Sequence, residues 1–135
     1  MPAGYSGTPL AKKLGIKAGF RVFVENGPDN YLQWLEPLPA DSQFLTEFQD
    51  DLDMIHLFTD DAKKLAAKLK SYRKKLKPNG VLWVSWPKKA SKRPTDITED
   101  TIRALALPLG LVDVKVCAVD EVWSGLKLVI RLENR

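Results

Sequence analysis

The sequence predicts a three-layer α/β fold built on a mostly parallel sheet and closed by an antiparallel hairpin. Three observations carry that prediction. Residues 81–86, Val-Leu-Trp-Val-Ser-Trp, are a continuous apolar run stopped by Pro87, the pattern of a strand covered on both faces. Strand patterns alternate with helix patterns along most of the chain, which is the signature of parallel crossovers. The last two strand patterns, 112–117 and 126–132, are joined by so short a connection that only antiparallel pairing is open to them.

The elements follow in order. Thr8 as N-cap, Pro9 at the first helical position and Gly15 as the stop bracket a short helix over 10–14. Residues 20–25, FRVFVE, read as the first strand and end at Asn26-Gly27-Pro28. A second short helix, 29–35, places Tyr31, Leu32 and Leu35 on one face, and Pro37 and Pro39 close it. Residues 42–48 are a weak strand pattern only a few residues before a strong one at 54–58, MIHLF. A parallel crossover between neighbours takes about a dozen residues or more. The 42–48 segment is therefore either an edge strand on the far side of the first strand or not a parallel strand at all.

Thr59-Asp60-Asp61 supplies a cap and negative charge to the start of the clearest helix, 62–77. Its stripe Leu65, Leu69, Tyr72, Leu76 has helical spacing, and Pro78-Asn79-Gly80 is the expected stop. After the central strand comes a basic loop, then a helix with Thr98 or Asp96 as cap, Ile102, Leu105 and Leu109 on one face, and Gly110 at its end. Val112 to Cys117 alternates strictly, as in a strand with one side less buried. Trp123-Ser124-Gly125 is expected in the loop before the final strand.

The totals limit the function. At 135 residues, 44% hydrophobic and 28% charged, the chain is expected to be a single globular domain over 1–135, with 1–19 as an arm carrying the first helix. One cysteine allows no internal disulfide and points to a reducing compartment. No apolar run approaches the ~18 residues of a membrane helix, and the first fifteen residues lack the apolar core of a secretion signal. A cytoplasmic location with no membrane partner is expected. The net charge of +4 permits acidic partners without demanding them.

Ligands in open α/β sheets sit outside the carboxyl ends of the parallel strands, which nominates Asn26-Gly27, Thr59-Asp60 and the 85–89 stretch as one rim. On it Ser85, Trp86, Lys88, Lys89, Lys92 and Arg93 are the candidate ligand-binding residues: cations for a phosphate or carboxylate, and an indole for a planar ring. Trp123 either caps the core or lines a pocket. His56, the only histidine, lies inside an apolar strand and is expected to pack or hydrogen-bond between layers. Cys117, mid-strand, reads as a buried inert thiol. One histidine and one cysteine build no ordinary zinc site, and neither a serine elbow nor a P-loop is present. Eight basic residues in 62–77 offer a face for nucleic acid, or simply a solvated one.

The order of elements, with LGIKAGFRVFVENG, LKPNGVLWVSWP and the closing hairpin, resembles a small class I S-adenosylmethionine-dependent methyltransferase, a Rossmann-like fold. The resemblance implies a glycine-rich cofactor loop after the first strand, with Asn26 and Gly27 in it, and Glu47 as the acid that grips ribose hydroxyls. The chain offers only Gly27, followed by Pro28, where that superfamily has several glycines. Over nearly the whole chain, GYSGTPLAKKLGIK, VSWPKK, LPLGLVDVKVCAVDE and WSGLKLVIR resemble a bacterial family known as a domain of unknown function, which implies no activity. Three functions remain open at this point. The first is a non-catalytic module on a degenerate scaffold, without cofactor, for a small molecule or protein partner. The others are a methyltransferase with an atypical cofactor loop and a nucleic-acid-binding protein.

Overall fold

The structure, a computed structural model, describes residues 9–135. Thr8, the expected first cap, lies outside the described residues. Helix α1 (Leu10–Leu14) ends at Gly15, whose φ of 82° is the left-handed cap expected of a glycine there. Six strands follow: β1 (Arg21–Glu25), β2 (Gln43–Leu45), β3 (Leu52–Phe58), β4 (Leu76–Pro87), β5 (Leu111–Ala118) and β6 (Trp123–Ile130). They form one sheet in the order β2-β1-β3-β4-β6-β5. The first three pairings are parallel, and β6 runs antiparallel to both β4 and β5. The fold is therefore Rossmann-like, with the apolar run at its centre: Val81 to Trp86 are all buried between β3 and β6.

Alternation along β4 sorts its side chains between two layers. Leu82, Val84 and Trp86 pack with Leu65, Leu69 and Ile102, which belong to α3 (Ala62–Lys75) and α4 (Glu99–Ala106). Trp83 points the other way, into the cluster of Leu10, Leu14, Tyr31 and Leu35 formed by α1 and α2 (Tyr31–Trp34) with its cap. Its indole N–H donates to the carbonyl of Leu14 at 2.9 Å, which fixes α1 on the sheet. Asp61 caps α3, its Oδ1 accepting from the backbone N–H of Lys63 and Lys64. Thr98 caps α4 in a reciprocal box with Thr101. Asp96, the other candidate cap, instead accepts from the N–H of Ala62 at 2.8 Å. It thereby ties the loop after β4 to the start of α3.

The 42–48 segment contributes only Gln43–Leu45, an outer strand parallel to β1; of the two alternatives the edge strand is the one realised. Helix α3 stops at Lys75, and 76–80 begin β4 rather than forming a separate turn, with a register shift against β3. Leu32, expected on the apolar face of its helix, is 47% exposed, because a single turn buries only Tyr31 and its capping Leu35. Ser124 and Gly125 do not lie in a loop. The Asp120 carboxylate accepts from the N–H groups of Val122 and Trp123, so the chain reverses within 119–122 and β6 begins three residues early. In β5 the register slips between Asp113 and Lys115. Val114 and Val116, which alternation alone would bury, are 54% and 45% exposed on this edge strand.

Candidate functional site

The order of the sheet reverses between β1 and β3, since β2 lies outside β1 while the chain continues inward through β3 and β4. This switch point is where open α/β sheets part their loops and leave a crevice. Two hollows that share a wall open along the carboxyl rim, beside a third of about 400 Å³ bordered by Gly27, Pro28 and Thr46 at the ends of β1 and β2. One of about 420 Å³ sits at the switch point, between Asn26 and Pro28 after β1 and Phe58, Thr59 and Asp60 after β3, with Trp123 as a wall. Another of about 640 Å³ lies after β4, enclosed by Trp86, the loop 87–95 and the first turn of α4.

In the larger hollow the expected loop residues come together. Lys88, Lys89, Lys92, Arg93 and Arg103 face it against two carboxylates, Glu99 and Asp100. Both carboxylates are bound by Arg103, at 2.9 and 3.1 Å, and Arg103 also meets Asp113 at 2.9 Å. Among the described residues no carboxylate pairs with Lys88, Lys89 or Lys92, which leaves three cations uncompensated. A short 3₁₀ turn at Lys89–Ser91 and a left-handed Lys92, φ 60°, fold the loop over the hollow. Trp86 is only 8% exposed and serves mainly as core beneath it.

Arg93 lines both hollows. Its guanidinium lies over the Trp123 ring at 4.9 Å and its Nη2 is 3.7 Å from Asp60. Nothing in the sequence links positions 60, 93 and 123. The trio exists because β6 pairs with β4, bringing Trp123 opposite Pro87.

Ser85 is not on the rim surface. It is fully buried, and its Oγ is 2.7 Å from His56 Nε2. The other ring nitrogen of His56 is 2.8 Å from the Tyr31 hydroxyl. The three form a buried chain across the α2 face of the sheet, with the imidazole stacked on Phe58 at 4.3 Å. Burial lowers the His56 pKa to about 3 and raises that of Tyr31, so imidazole and phenol both stay neutral. The interlayer hydrogen bond expected of His56 is the one to Tyr31 on α2, while the bond to Ser85 joins neighbouring strands of the sheet.

Burial also pushes the half-buried Cys117 thiol up, against the opposing pull of Lys13 and Lys115. Among the described residues no group of histidine, cysteine and carboxylate side chains could hold a metal. The basic residues of 62–77 are partly consumed: Lys68 and Lys75 on α3 and Lys77 at the start of β4 pair with Glu25, Asp50 and Asp53, and Arg73 donates to the Leu109 carbonyl. No helix among the described residues is long and apolar enough to cross a membrane.

Residues 35–132 match the family described as "Protein of unknown function (DUF3052)". The chain belongs to the DUF3052 family. No curated protein matches its sequence. Solved structures do resemble its fold. An S-adenosylmethionine-dependent methyltransferase from Aquifex aeolicus superposes with a TM-score of 0.68 at 15% identity, covering 90% of this chain and 88% of that one. Magnesium protoporphyrin IX methyltransferase from Synechocystis, with bound S-adenosylmethionine, gives 0.58 at 10% identity over 90% and 74%. A TehB-like S-adenosylmethionine-dependent methyltransferase from Corynebacterium glutamicum gives 0.57 at 10% over 90% and 85%. At such identities the likeness establishes the fold of this DUF3052 member, which is methyltransferase-like, and nothing finer.

The residues that would hold that cofactor can be tested for fit. A Cβ on Gly27 would meet Val24 Cγ1 at 2.7 Å, so packing under the loop already accounts for the glycine without a ligand. Asn26 is exposed with φ 60° and borders the switch-point hollow. Glu47 is exposed beyond β2 and lines none of the three rim hollows, although its neighbour Thr46 borders the one that Gly27 lines. Gly27 stands alone where the superfamily pattern has several glycines, and it borders the hollow at the ends of β1 and β2.

Proposed function

We propose that this DUF3052 chain is a binding module that takes an anionic small molecule, a phosphate or carboxylate compound, in the hollow after β4. The observation that carries the reading is the charge arrangement there. Arg103 binds both carboxylates of the hollow, and Lys88, Lys89 and Lys92 face the same space. Ammonium groups facing one hollow repel one another, and an anion among them relieves that repulsion while gaining charge-assisted hydrogen bonds. The volume lies within the ~300–1,000 Å³ of ordinary ligand sites.

Calorimetric titration with pyrophosphate tests the reading. Binding is expected, with Lys88→Ala/Lys89→Ala at least tenfold weaker and the melting temperature little changed, since both side chains are solvated. Absence of heat at millimolar pyrophosphate overturns it.

The fold of its structural neighbours supports a second reading, S-adenosylmethionine at the switch-point hollow with methyl transfer as the activity. A thermal shift with millimolar S-adenosylmethionine would favour that reading, and none would remove it.

A further inference from the structure

We infer that the anion is the phosphate end of a nucleotide-class ligand, a planar heteroaromatic ring bearing phosphate. The phosphate lies among the lysines of the larger hollow and the ring against Trp123 in the smaller one, with Arg93 as the gate between them. The inference rests on the anion-binding reading above and extends it. Arg93 is a shared wall of the two hollows, so they are separated there by one movable side chain. The smaller hollow has an aromatic lining: Phe58 and Trp123 meet edge to face, centroids 5.1 Å apart at 90°. The Arg93 guanidinium, its Cζ over the indole ring at 4.9 Å from the centroid, occupies the place where a planar ring would stack.

The hold on Arg93 is weak. Its ion pair with Asp60 spans 3.7 Å between side chains 49% and 42% exposed, and exposed pairs of this kind contribute little. Phosphate oxygens offer a guanidinium shorter, charge-assisted bonds. A phosphate beside Lys88, Lys89 and Lys92 therefore draws Arg93 off Asp60 and uncovers Trp123. The loop backbone is pinned on the far side, Thr95 donating to the Asp60 carbonyl at 2.9 Å and Asp96 accepting from Ala62 at 2.8 Å. The movement is thus confined to the side chain. Phosphate and ring bind cooperatively, because each needs Arg93 to turn the same way.

Titration with ADP, adenosine and pyrophosphate, read by heat and by tryptophan fluorescence, tests this. ADP is expected to bind at least tenfold tighter than either fragment and to quench fluorescence. Trp123→Phe should abolish the quench and bring ADP down to the affinity of pyrophosphate. Because Trp123 is buried and that variant could fold poorly, Arg93→Ala at an exposed position is the second test: it uncovers the indole and raises adenosine affinity severalfold. If ADP binds no tighter than pyrophosphate and leaves fluorescence unchanged, the ring site is overturned while the anion site stands. Unchanged adenosine affinity in Arg93→Ala overturns the gate. If neither ADP nor pyrophosphate binds, both readings fall.

Discussion

Acidification from pH 7 to pH 5 should destabilise the protein through one residue. His56 is wholly buried, both its ring nitrogens are engaged, and its pKa is lowered by burial to about 3. In the unfolded chain it titrates near ~6.5. Because the folded value is the depressed one, the unfolded state gains the proton first. The stabilisation is complete above pH ~6.5 and is lost progressively as pH falls toward 3. Each pH unit well inside that window costs about 1.4 kcal/mol, so between pH 6.5 and pH 5 the loss is on the order of 2 kcal/mol. That is a sizeable part of the ~5–15 kcal/mol by which a domain is stable. Between pH 6.5 and 5 the comparison is clean, because the chain has one histidine and ordinary carboxylates titrate mostly below pH ~5. Urea unfolding at half-unit intervals of pH measures the slope directly. His56→Gln should be less stable at neutral pH and flat across the window. A wild-type midpoint that does not move between pH 6.5 and 5, or an imidazole titrating near 6.5 by NMR, would refute the buried chain.

Other consequences concern packing and caps. Leu69→Ala removes a fully buried side chain between α3 and the sheet and should cost about 2–5 kcal/mol by urea unfolding; a loss under about 1 kcal/mol would contradict that placement. Gly125→Ala would place a Cβ 3.1 Å from both Trp83 and Val119. The resulting overpacking should cost about 1–3 kcal/mol, and an unchanged melting temperature would argue against this register of β6. Asp61→Ala leaves the N–H groups of Lys63 and Lys64 without their acceptor and should cost about 1 kcal/mol, visible as a small drop in denaturation midpoint.

Where local chemistry and burial agree, the chain could be read directly. The run 81–86 needed no partner to be recognised as a two-face-covered strand, and α3 announced itself through Asp61 and its Leu65-Leu69-Tyr72 stripe. Reading failed where a neighbour, not the segment, decides. Asp120 turns the chain before Trp123, so β6 extends through residues whose composition says loop. A slip against β6 breaks the alternation of β5, and Val114 and Val116 stay exposed because this strand is the edge of the sheet. At the site, the lysine loop was legible because lysines follow directly on a strand end. Ser85 was misplaced because β4 runs on to Pro87 with both faces covered, so its hydroxyl lies inside the sheet against His56 instead of at the rim. Arg93 was visible only as a loop cation, since its partners Asp60 and Trp123 arrive from distant strands.

The sequence alone determined the class of fold and the position of the basic loop, because strand and helix periodicity and turn residues act over a few neighbouring positions. Which strands adjoin, and hence where the crevice opens, how Tyr31, His56 and Ser85 meet, and how Arg93 comes to lie on Trp123, were decided only by tertiary structure. Those contacts join residues tens of positions apart, and side-chain burial is a property of the assembled layers rather than of any single segment.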